Sequence, residues 1–193
     1  MIADKFPKWF LDNNTRADFE KHLEEFKGKE NLKFLQIGVF TGNASAWLLE
    51  NILTDPSSVL VDVDPWCGNL QHESIYEWDE VESAYDEQIK NHIKKVHKFK
   101  AFSKEWLEGH REGGFDFIYI DGDHLPESVT SDADLSWDLL KSNGIMAFDD
   151  YEWDHPDGTD KNPKPAIDKF LEIHRGEYEI LQKGWQVWIR KLP

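Results

Sequence analysis

The stretch FDFIYIDGDH, residues 115–124, joins an apolar run to an acidic corner. Phe, Ile and Tyr dominate its first six residues, as is typical of a strand buried in a parallel sheet. Two acids, Asp121 and Asp123, follow directly where the run ends. We therefore predict a buried strand over 115–120 with acidic side chains at its carboxyl end.

Three other apolar runs end in polar or glycine corners. They are KFLQI (33–37) before Gly38, VLVDV (59–63) with Asp62 inside it and Asp64 after it, and GIMAF (144–148) before Asp149 and Asp150. A helical stretch follows each run, which indicates an alternating α/β domain with parallel strands. Ligands of such sheets bind outside the carboxyl ends of the strands, so we expect all these corners to face one crevice.

The remaining segments complete this alternating plan. An N-terminal helix is predicted over 15–27, because Thr15 and Asp18 have the spacing of a capping pair. Further predictions are a helix capped by Asn43, a strand over 98–102, a helix over 127–140 that ends at Asn143-Gly144, and a helix around 166–171. The runs 178–182 and 185–190 flank a short turn and predict a closing antiparallel hairpin.

Composition indicates a single domain over residues 1–193. A chain of this length, with 39% hydrophobic residues and 9 Trp, can bury one sizeable core but hardly two. No linker or repeat divides it. The segment 65–97 is longer than an ordinary connection and is predicted to be an insertion with its own helix.

Charge and cysteine content limit the partners and the location. The net charge is −16, from 22 Lys and Arg against 38 Asp and Glu, so most of the surface repels polyanions such as nucleic acid. The single cysteine, Cys67, excludes an internal disulfide and fits a reducing compartment. No stretch approaches the roughly 18 apolar residues of a membrane span. We expect a cytoplasmic protein that binds neither nucleic acid nor membranes.

The first corner, IGVFTGNAS (37–45), is a glycine-containing turn between a strand and a helix. It lacks the G-x-G-x-x-G spacing of a nicotinamide site and the Gly-Lys-Ser/Thr of a phosphate-binding loop. A wider turn with a bulky Phe40 suits a ligand without a diphosphate. Asp62 lies about twenty residues past Gly42, where an acid can accept hydrogen bonds from a ribose diol. The alternative is a plain turn beside a solvated strand-end acid.

Four motifs together resemble the class I S-adenosylmethionine-dependent methyltransferases. They are LQIGVFTGNAS, VLVDVDP, FDFIYIDGDH and GIMAFDDYEW, with the closing hairpin after them. The resemblance covers most of the chain and implies a Rossmann-like, doubly wound, mostly parallel seven-stranded sheet with a C-terminal antiparallel hairpin. IDGDH is similar to a broad family of small methyltransferases. DGD followed by DDY and PAIDKF is similar to the metal-dependent macrocin and mycinamicin sugar O-methyltransferases.

The resemblance also implies residue roles. The residues that it places against S-adenosylmethionine are Gln36, Gly38, Phe40, Gly42, Asp62, Ser103 and Asp121. Within this set, Asp62 would hold the ribose hydroxyls and Ser103 would contact the adenine. Gln36 stands where these families usually carry an acid, which changes the polar contact to the amino group of the cofactor. His124 also departs from the usual residue of the sugar enzymes.

A divalent ion is implied at Asp121, Asp149 and Asp150. The chemistry of the side chains agrees, because Mg²⁺ takes oxygen ligands and keeps positions that a substrate diol can fill. A hydroxyl bound there loses its proton more readily beside the methyl group of the cofactor. Asp149 and His124 are the candidate bases. In the alternative interpretation, Asp149 and Asp150 cap the next segment or remain solvated.

The leading hypothesis is an S-adenosylmethionine-dependent methyltransferase that acts on a hydroxyl of a small molecule, a sugar or a diol, with help from Mg²⁺. Two alternatives stay open. One is a noncatalytic S-adenosylmethionine-binding protein of the same fold, and the other is a metal-dependent hydrolase or hydroxylase-like enzyme. The sequence identifies neither the acceptor nor the oligomeric state, and a homo-oligomer remains among the options.

Overall fold

The computed structural model describes residues 2–68, 75–110, 112–154, 158 and 161–193. The strands in this part of the chain are β1 (Lys33–Ile37), β2 (Val59–Asp64), β3 (Val96–Lys100), β4 (Phe115–Ile120), β5 (Leu140–Phe148), β6 (Tyr178–Lys183) and β7 (Val187–Lys191). The α-helices are α1 (Trp9–Asp12), α2 (Thr15–Leu23), α3 (Asn43–Asn51), α4 (Trp78–Ile89), α5 (Ser103–Gly109), α6 (Pro126–Trp137) and α7 (Lys164–Ile173). Short 3₁₀ turns cover Ile2–Lys5 and Glu24–Phe26.

The strands form one seven-stranded sheet in the order β3-β2-β1-β4-β5-β7-β6. The first five strands run parallel, whereas β7 pairs antiparallel with both β5 and β6. This is the Rossmann-like, doubly wound α/β fold with a C-terminal antiparallel hairpin that the sequence predicted. The direction of winding reverses between β1 and β4, so the crevice at their carboxyl ends is the expected ligand site.

Both faces of the sheet are covered, which explains why its central strands are continuous apolar runs rather than alternating ones. One face packs against α2, α3 and α4, where Phe19 contacts the Tyr119 and Trp188 rings edge-on at 4.9 and 5.3 Å. The other face packs against α5, α6 and α7 through residues such as Ile120 and Phe170. The strand ends are therefore held rigidly between two helical layers.

Two local predictions were shifted. The third strand spans 96–100 instead of 98–102, because Lys98 and Lys100 lie in this edge strand and both pair with Glu82. The helix after the fourth strand ends at Trp137, and Asn143, with a φ of 64°, falls within the irregular first part of β5.

No helix in the described ranges is both long enough and apolar enough to cross a lipid bilayer.

Candidate active site

A cavity of about 960 Å³ opens at the carboxyl edge of the sheet. The ends of β1, β2, β4 and β5 contribute Gly38, Asp64, Asp121 and Asp149 to its wall. The predicted residues that line it are Gln36, Gly38, Phe40, Ser103, Asp121, His124, Asp149 and Asp150, whereas Gly42 and Asp62 are not part of its lining. The volume lies at the upper end of the usual range for ligand sites, so it has room for two small molecules side by side.

Glycine is required at position 38 because the loops that follow β1 and β4 approach each other closely there. Its φ is +78°, and a Cβ added there would lie 1.9 Å from the carbonyl oxygen of Asp121. The two corners are also joined by a hydrogen bond of 2.8 Å from the Asp121 N–H to the Ile37 carbonyl. Gly38 therefore allows the β1 and β4 corners to touch, which brings the acidic corner to the cavity.

We expect Gly38→Ala to lower the free energy of unfolding by about 2–4 kcal/mol, because the new Cβ must displace backbone and the positive φ adds strain. The matched control is Gly109→Ala, where an added Cβ meets nothing within 4 Å. Urea unfolding of the two variants and the parent measures the difference. Equal stability of both variants would show that the two corners are not locked together.

Asp62 is buried within the sheet and does not reach the cavity, where the sequence analysis placed it. It is fully buried in β2, and its Oδ2 accepts a hydrogen bond of 2.8 Å from the Tyr85 hydroxyl on α4. Tyr85 also explains Gly42, because a Cβ at this left-handed residue, which precedes α3, would lie 2.7 Å from the Tyr85 ring. The predicted helix cap at Asn43 is corrected to Gly42, because α3 already begins at Asn43. Asp62 and Gly42 thus pack beneath the corner instead of facing the cavity.

Burial raises the pKa of Asp62 to about 7, even though the Tyr85 hydrogen bond lowers it. Because the folded state holds this proton more tightly than the unfolded chain, the stability from this group is full below about pH 4 and is lost as pH rises to about 7. We expect Asp62→Asn to raise the free energy of unfolding at about pH 8 by about 1–2 kcal/mol and to flatten its pH dependence. Urea unfolding at about pH 5 and pH 8 measures this. A variant destabilised at the higher pH would contradict it.

Asp64, two residues further along β2, does reach the cavity. Its Oδ2 accepts hydrogen bonds from the backbone N–H groups of Val39 and Phe40 at 2.7 and 3.0 Å. Its Oδ1 accepts one from the N–H of Trp66 at 2.7 Å. Phe40 and Trp66 both have positive φ, of 51° and 43°. One carboxylate therefore fixes two strained turns, one after β1 and one after β2.

Gln36 lines the cavity and carries an unsatisfied, buried acceptor. The residue is 2% exposed, and its Oε1 has no hydrogen-bond partner among the described residues. Its Nε2 donates a long hydrogen bond, 3.5 Å, to the Gly38 carbonyl. An unpaired buried acceptor costs about 1–3 kcal/mol. A ligand with an N–H donor would remove that cost.

Three carboxyl groups crowd the acidic end of the cavity. Burial, followed by the charges of Asp149 and Asp150, raises the pKa of Asp121 well above its ordinary value. Burial and then the charge of Asp150 raise the pKa of Asp149 to about 6. Asp149 accepts hydrogen bonds from the Tyr119 hydroxyl and from the Asp150 N–H. Such a cluster of acids is stabilised by a bound cation.

His124 stands beside this cluster and joins it. Its Nε2 lies 3.0 Å from Asp150 Oδ2. Burial lowers the pKa of His124, but the Asp150 hydrogen bond and the surrounding acids outweigh it and leave the pKa raised. One atom from each of Asp121, His124 and Asp150 lies within 4.8 Å of the others, as in a metal site. The set that the sequence analysis named had Asp149 in the place of His124.

Aromatic side chains form much of the remaining wall. They include Trp9, Phe40, Trp78, Phe102, Trp153 and Trp185. The Trp9 and Phe40 ring centroids are 4.9 Å apart, and the Trp153 ring lies 4.8 Å from that of His124. Flat apolar rings beside a polar cluster favour a ring-shaped ligand that carries hydroxyl groups.

Two residues of the site were missed from the sequence. Asp64 was noted as an acid but received no role, since its contacts depend on where β2 ends. Asp132 on α6 was not noted at all, although it is 1% exposed and lines the cavity together with Ser103. Helical spacing places it on the same buried face as Val129 and Ser136, and an acid on such a face is the signal that could have identified it.

Comparison with protein families gives one match over most of the sheet. Residues 35–151 match a family model described as a methyltransferase domain. The matched segment begins in β1 and ends just after Asp150, so it contains every predicted contact to the cavity.

Solved structures with the same fold are similar along nearly the whole chain. A candidate rRNA methylase from Clostridium thermocellum has a TM-score of 0.69 at 14% identity, covering 94% of this chain and 97% of that one. An O-methyltransferase from Bacillus cereus, in complex with SAH, has a TM-score of 0.61 at 18% identity, covering 92% and 80%. The MycE methyltransferase of mycinamycin biosynthesis, in complex with Mg, SAH and mycinamycin VI, has a TM-score of 0.65 at 14% identity, covering 98% of this chain and 51% of that one.

Proposed function

Because the chain belongs to this methyltransferase domain family, we propose that it transfers a methyl group from S-adenosylmethionine to a hydroxyl oxygen of a small molecule. The observation that carries the proposal is one cavity with two unlike ends. Gln36 and Asp64 come from β1 and β2 on one side of the cavity, and Asp121, Asp149 and Asp150 follow β4 and β5 on the other side. A cofactor and an acceptor that bind side by side need two such chemically different regions.

The residues around the Gly38 turn suit the cofactor. Gln36 Oε1 can accept a hydrogen bond from the α-ammonium group, which satisfies the buried oxygen. Among the described residues, Asp64 Oδ1 has a single donor, the Trp66 N–H, and it can accept another hydrogen bond from a ribose hydroxyl. We therefore assign the ribose to Asp64 in place of Asp62. The Phe40 ring borders the same space.

The acidic end suits a divalent cation and the acceptor hydroxyl. Carboxylate oxygens are the ligands that Mg²⁺ prefers, and Asp121 and Asp150 offer them beside His124. Asp149 adds a carboxylate whose two oxygens already accept protein hydrogen bonds. When bound, the ion would lower the pKa of a coordinated hydroxyl. The neighbouring MycE structure, which contains Mg and SAH, supports this choice of cation.

Two side chains are candidates to remove the proton of the acceptor hydroxyl, and both already take part in hydrogen bonds within the site. His124, held by Asp150, and Asp149, with a pKa of about 6, both lie beside the position proposed for the acceptor hydroxyl. As the methyl carbon bonds to the acceptor oxygen, its bond to sulfur breaks and the hydroxyl proton passes to one of these bases. Alignment of oxygen, carbon and sulfur by rigid strand ends supplies much of the rate.

The aromatic wall and the net charge suggest the kind of acceptor. Trp9, Trp153 and Trp185 offer flat faces for a sugar or an aromatic ring. The net charge of −16 disfavours nucleic acid. The O-methyltransferase neighbours support oxygen as the methylated atom. We therefore propose a small, ring-shaped diol as the acceptor class.

Calorimetry with S-adenosylmethionine, followed by a methyl-transfer assay over a panel of sugars, catechols and other diols, tests the function. We expect cofactor binding with a dissociation constant in the range of about 1 μM to 1 mM and turnover of at least one diol. Binding without any turnover across the panel would favour the noncatalytic alternative. Absence of binding at millimolar cofactor would contradict the proposal altogether.

A further inference from the structure

Asp132 is a buried carboxyl group for which the fold provides too few donors. It lies on α6, is 1% exposed and forms part of the cavity wall. The Ser103 hydroxyl donates a hydrogen bond to it, yet its Oδ1 has no partner in the ranges that the structure describes. Burying an unpaired carboxyl oxygen is costly, so a ligand donor at this point would stabilise the protein.

The position of Asp132 defines one end of the cavity. Ser103 begins α5 directly after β3, and β3 lies beside β2, whose end carries Asp64. On the other side, a Cβ added at Gly122 would lie 3.6 Å from Asp132 Oδ2, which places the carboxyl against the β4 corner. Asp132 is thus enclosed between the corners that follow β3 and β4. The carboxyl group therefore lies on the α6 side of the cavity, between the corner with Phe102 and Ser103 and the corner that begins at Asp121.

The groups at this end match a planar base that carries an amino group. Phe102 lines the cavity with a ring that is 54% exposed, so one of its faces is available for stacking. Asp132 supplies an acceptor in the same region. A nucleoside whose ribose is bound at Asp64, at the end of β2, can place its base against the neighbouring β3 corner, where Phe102 and Ser103 lie.

We propose that Asp132 Oδ1 accepts a hydrogen bond from the exocyclic amino group of the adenine of the cofactor and so selects adenine over 6-oxopurines. This inference rests on the proposed function, because it assumes that the nucleoside in the cavity belongs to S-adenosylmethionine. A 6-oxopurine presents a carbonyl oxygen at the same place. Burial raises the pKa of Asp132 to about 7, so the carboxyl is ionised above that pH. Two acceptors would then face each other with no proton between them, and the carboxylate would remain unpaired.

Calorimetry on the parent protein at about pH 8, where Asp132 is mostly ionised, with S-adenosylhomocysteine and with S-inosylhomocysteine tests this selection. We expect the adenine ligand to bind about 10- to 100-fold more tightly, the effect of one hydrogen bond to a charged or buried partner. In Asp132→Asn the preference should fall to about threefold or less, because the amide can donate to a 6-oxo group as well as accept from an amino group. Asp134→Asn, on the exposed face of the same helix, should retain the full preference.

The outcomes separate this inference from the function on which it rests. If the parent protein binds both ligands equally, or if Asp132→Asn keeps the preference of the parent, Asp132 does not recognise the base, while the cofactor site itself stands. If the parent protein binds neither ligand, both the proposed function and this inference are wrong. The two ligands are compared on the parent protein, without any variant. This comparison can therefore contradict the inference even if Asp132→Asn does not fold.

Discussion

Replacing Asp150 by Asn is expected to reduce methyl transfer by at least about 100-fold and to raise the Mg²⁺ concentration needed for half-maximal rate by about 10- to 100-fold. Asp150 supplies one of the three clustered donor atoms and also holds His124 Nε2 at 3.0 Å. Its loss therefore weakens binding of the ion and also leaves a candidate base, His124, without the partner that orients it. Initial rates over a Mg²⁺ titration, on protein first treated with a chelator, measure both effects.

The controls make this experiment specific to the acidic cluster. Affinity for S-adenosylhomocysteine should change by less than about threefold, since Asp150 lies at the acceptor end. Asp134→Asn makes the same chemical change on an exposed surface and should leave the rate and its Mg²⁺ dependence at the values of the parent protein. If the parent enzyme keeps full activity in the presence of a chelator, the cluster does not work through a metal ion.

Asp64→Asn is expected to have the second largest effect and to act on the opposite end of the cavity. We expect a loss of about 2–4 kcal/mol in the free energy of unfolding and about 10- to 100-fold weaker cofactor binding. The amide places an N–H group against backbone donors that now point at a carboxylate. The positive-φ turns at Phe40 and Trp66 then lose the group that holds them.

The comparison of Asp64→Asn with Asp62→Asn assigns the ribose contact. Both changes are made in the same strand, two residues apart, and each removes one carboxylate. We expect Asp62→Asn to alter cofactor affinity by less than about threefold, because Tyr85 covers Asp62 and the cavity does not reach it. Calorimetric titrations of the two variants measure this. If Asp62→Asn lost more cofactor affinity than this, the ribose contact would be assigned to Asp62, as the sequence motif suggested.

Sequence patterns were sufficient to predict the sheet and the location of the crevice. Strands such as 115–120 are buried on both faces, so their apolar runs are continuous and easily recognised. Acids placed directly after such runs must lie at the carboxyl edge of a parallel sheet. The edge strand β3 was placed two residues too late, because its alternating Lys residues pair with α4 and leave a weak apolar pattern.

The details of the site depended on contacts between distant parts of the chain. Asp62 and Asp64 point to the same face of β2, and only Tyr85, from a helix about twenty residues later, decides which of them reaches the cavity. Gly38 was predicted to contact the cofactor and does line the cavity, but the backbone of Asp121 occupies the space where a side chain would be. Local spacing contains no information about either neighbour.

A crystal structure of the protein with S-adenosylhomocysteine and Mg²⁺ tests most directly whether one cavity holds the cofactor and the ion together. We predict the amino group of the ligand at Gln36 Oε1, its ribose at Asp64, and a metal ion coordinated by Asp121 and Asp150. Saturated crystals in which the ligand lies outside this cavity, or in which the acidic cluster is more than about 10 Å from the ligand sulfur and so beyond the reach of direct methyl transfer, would contradict the account.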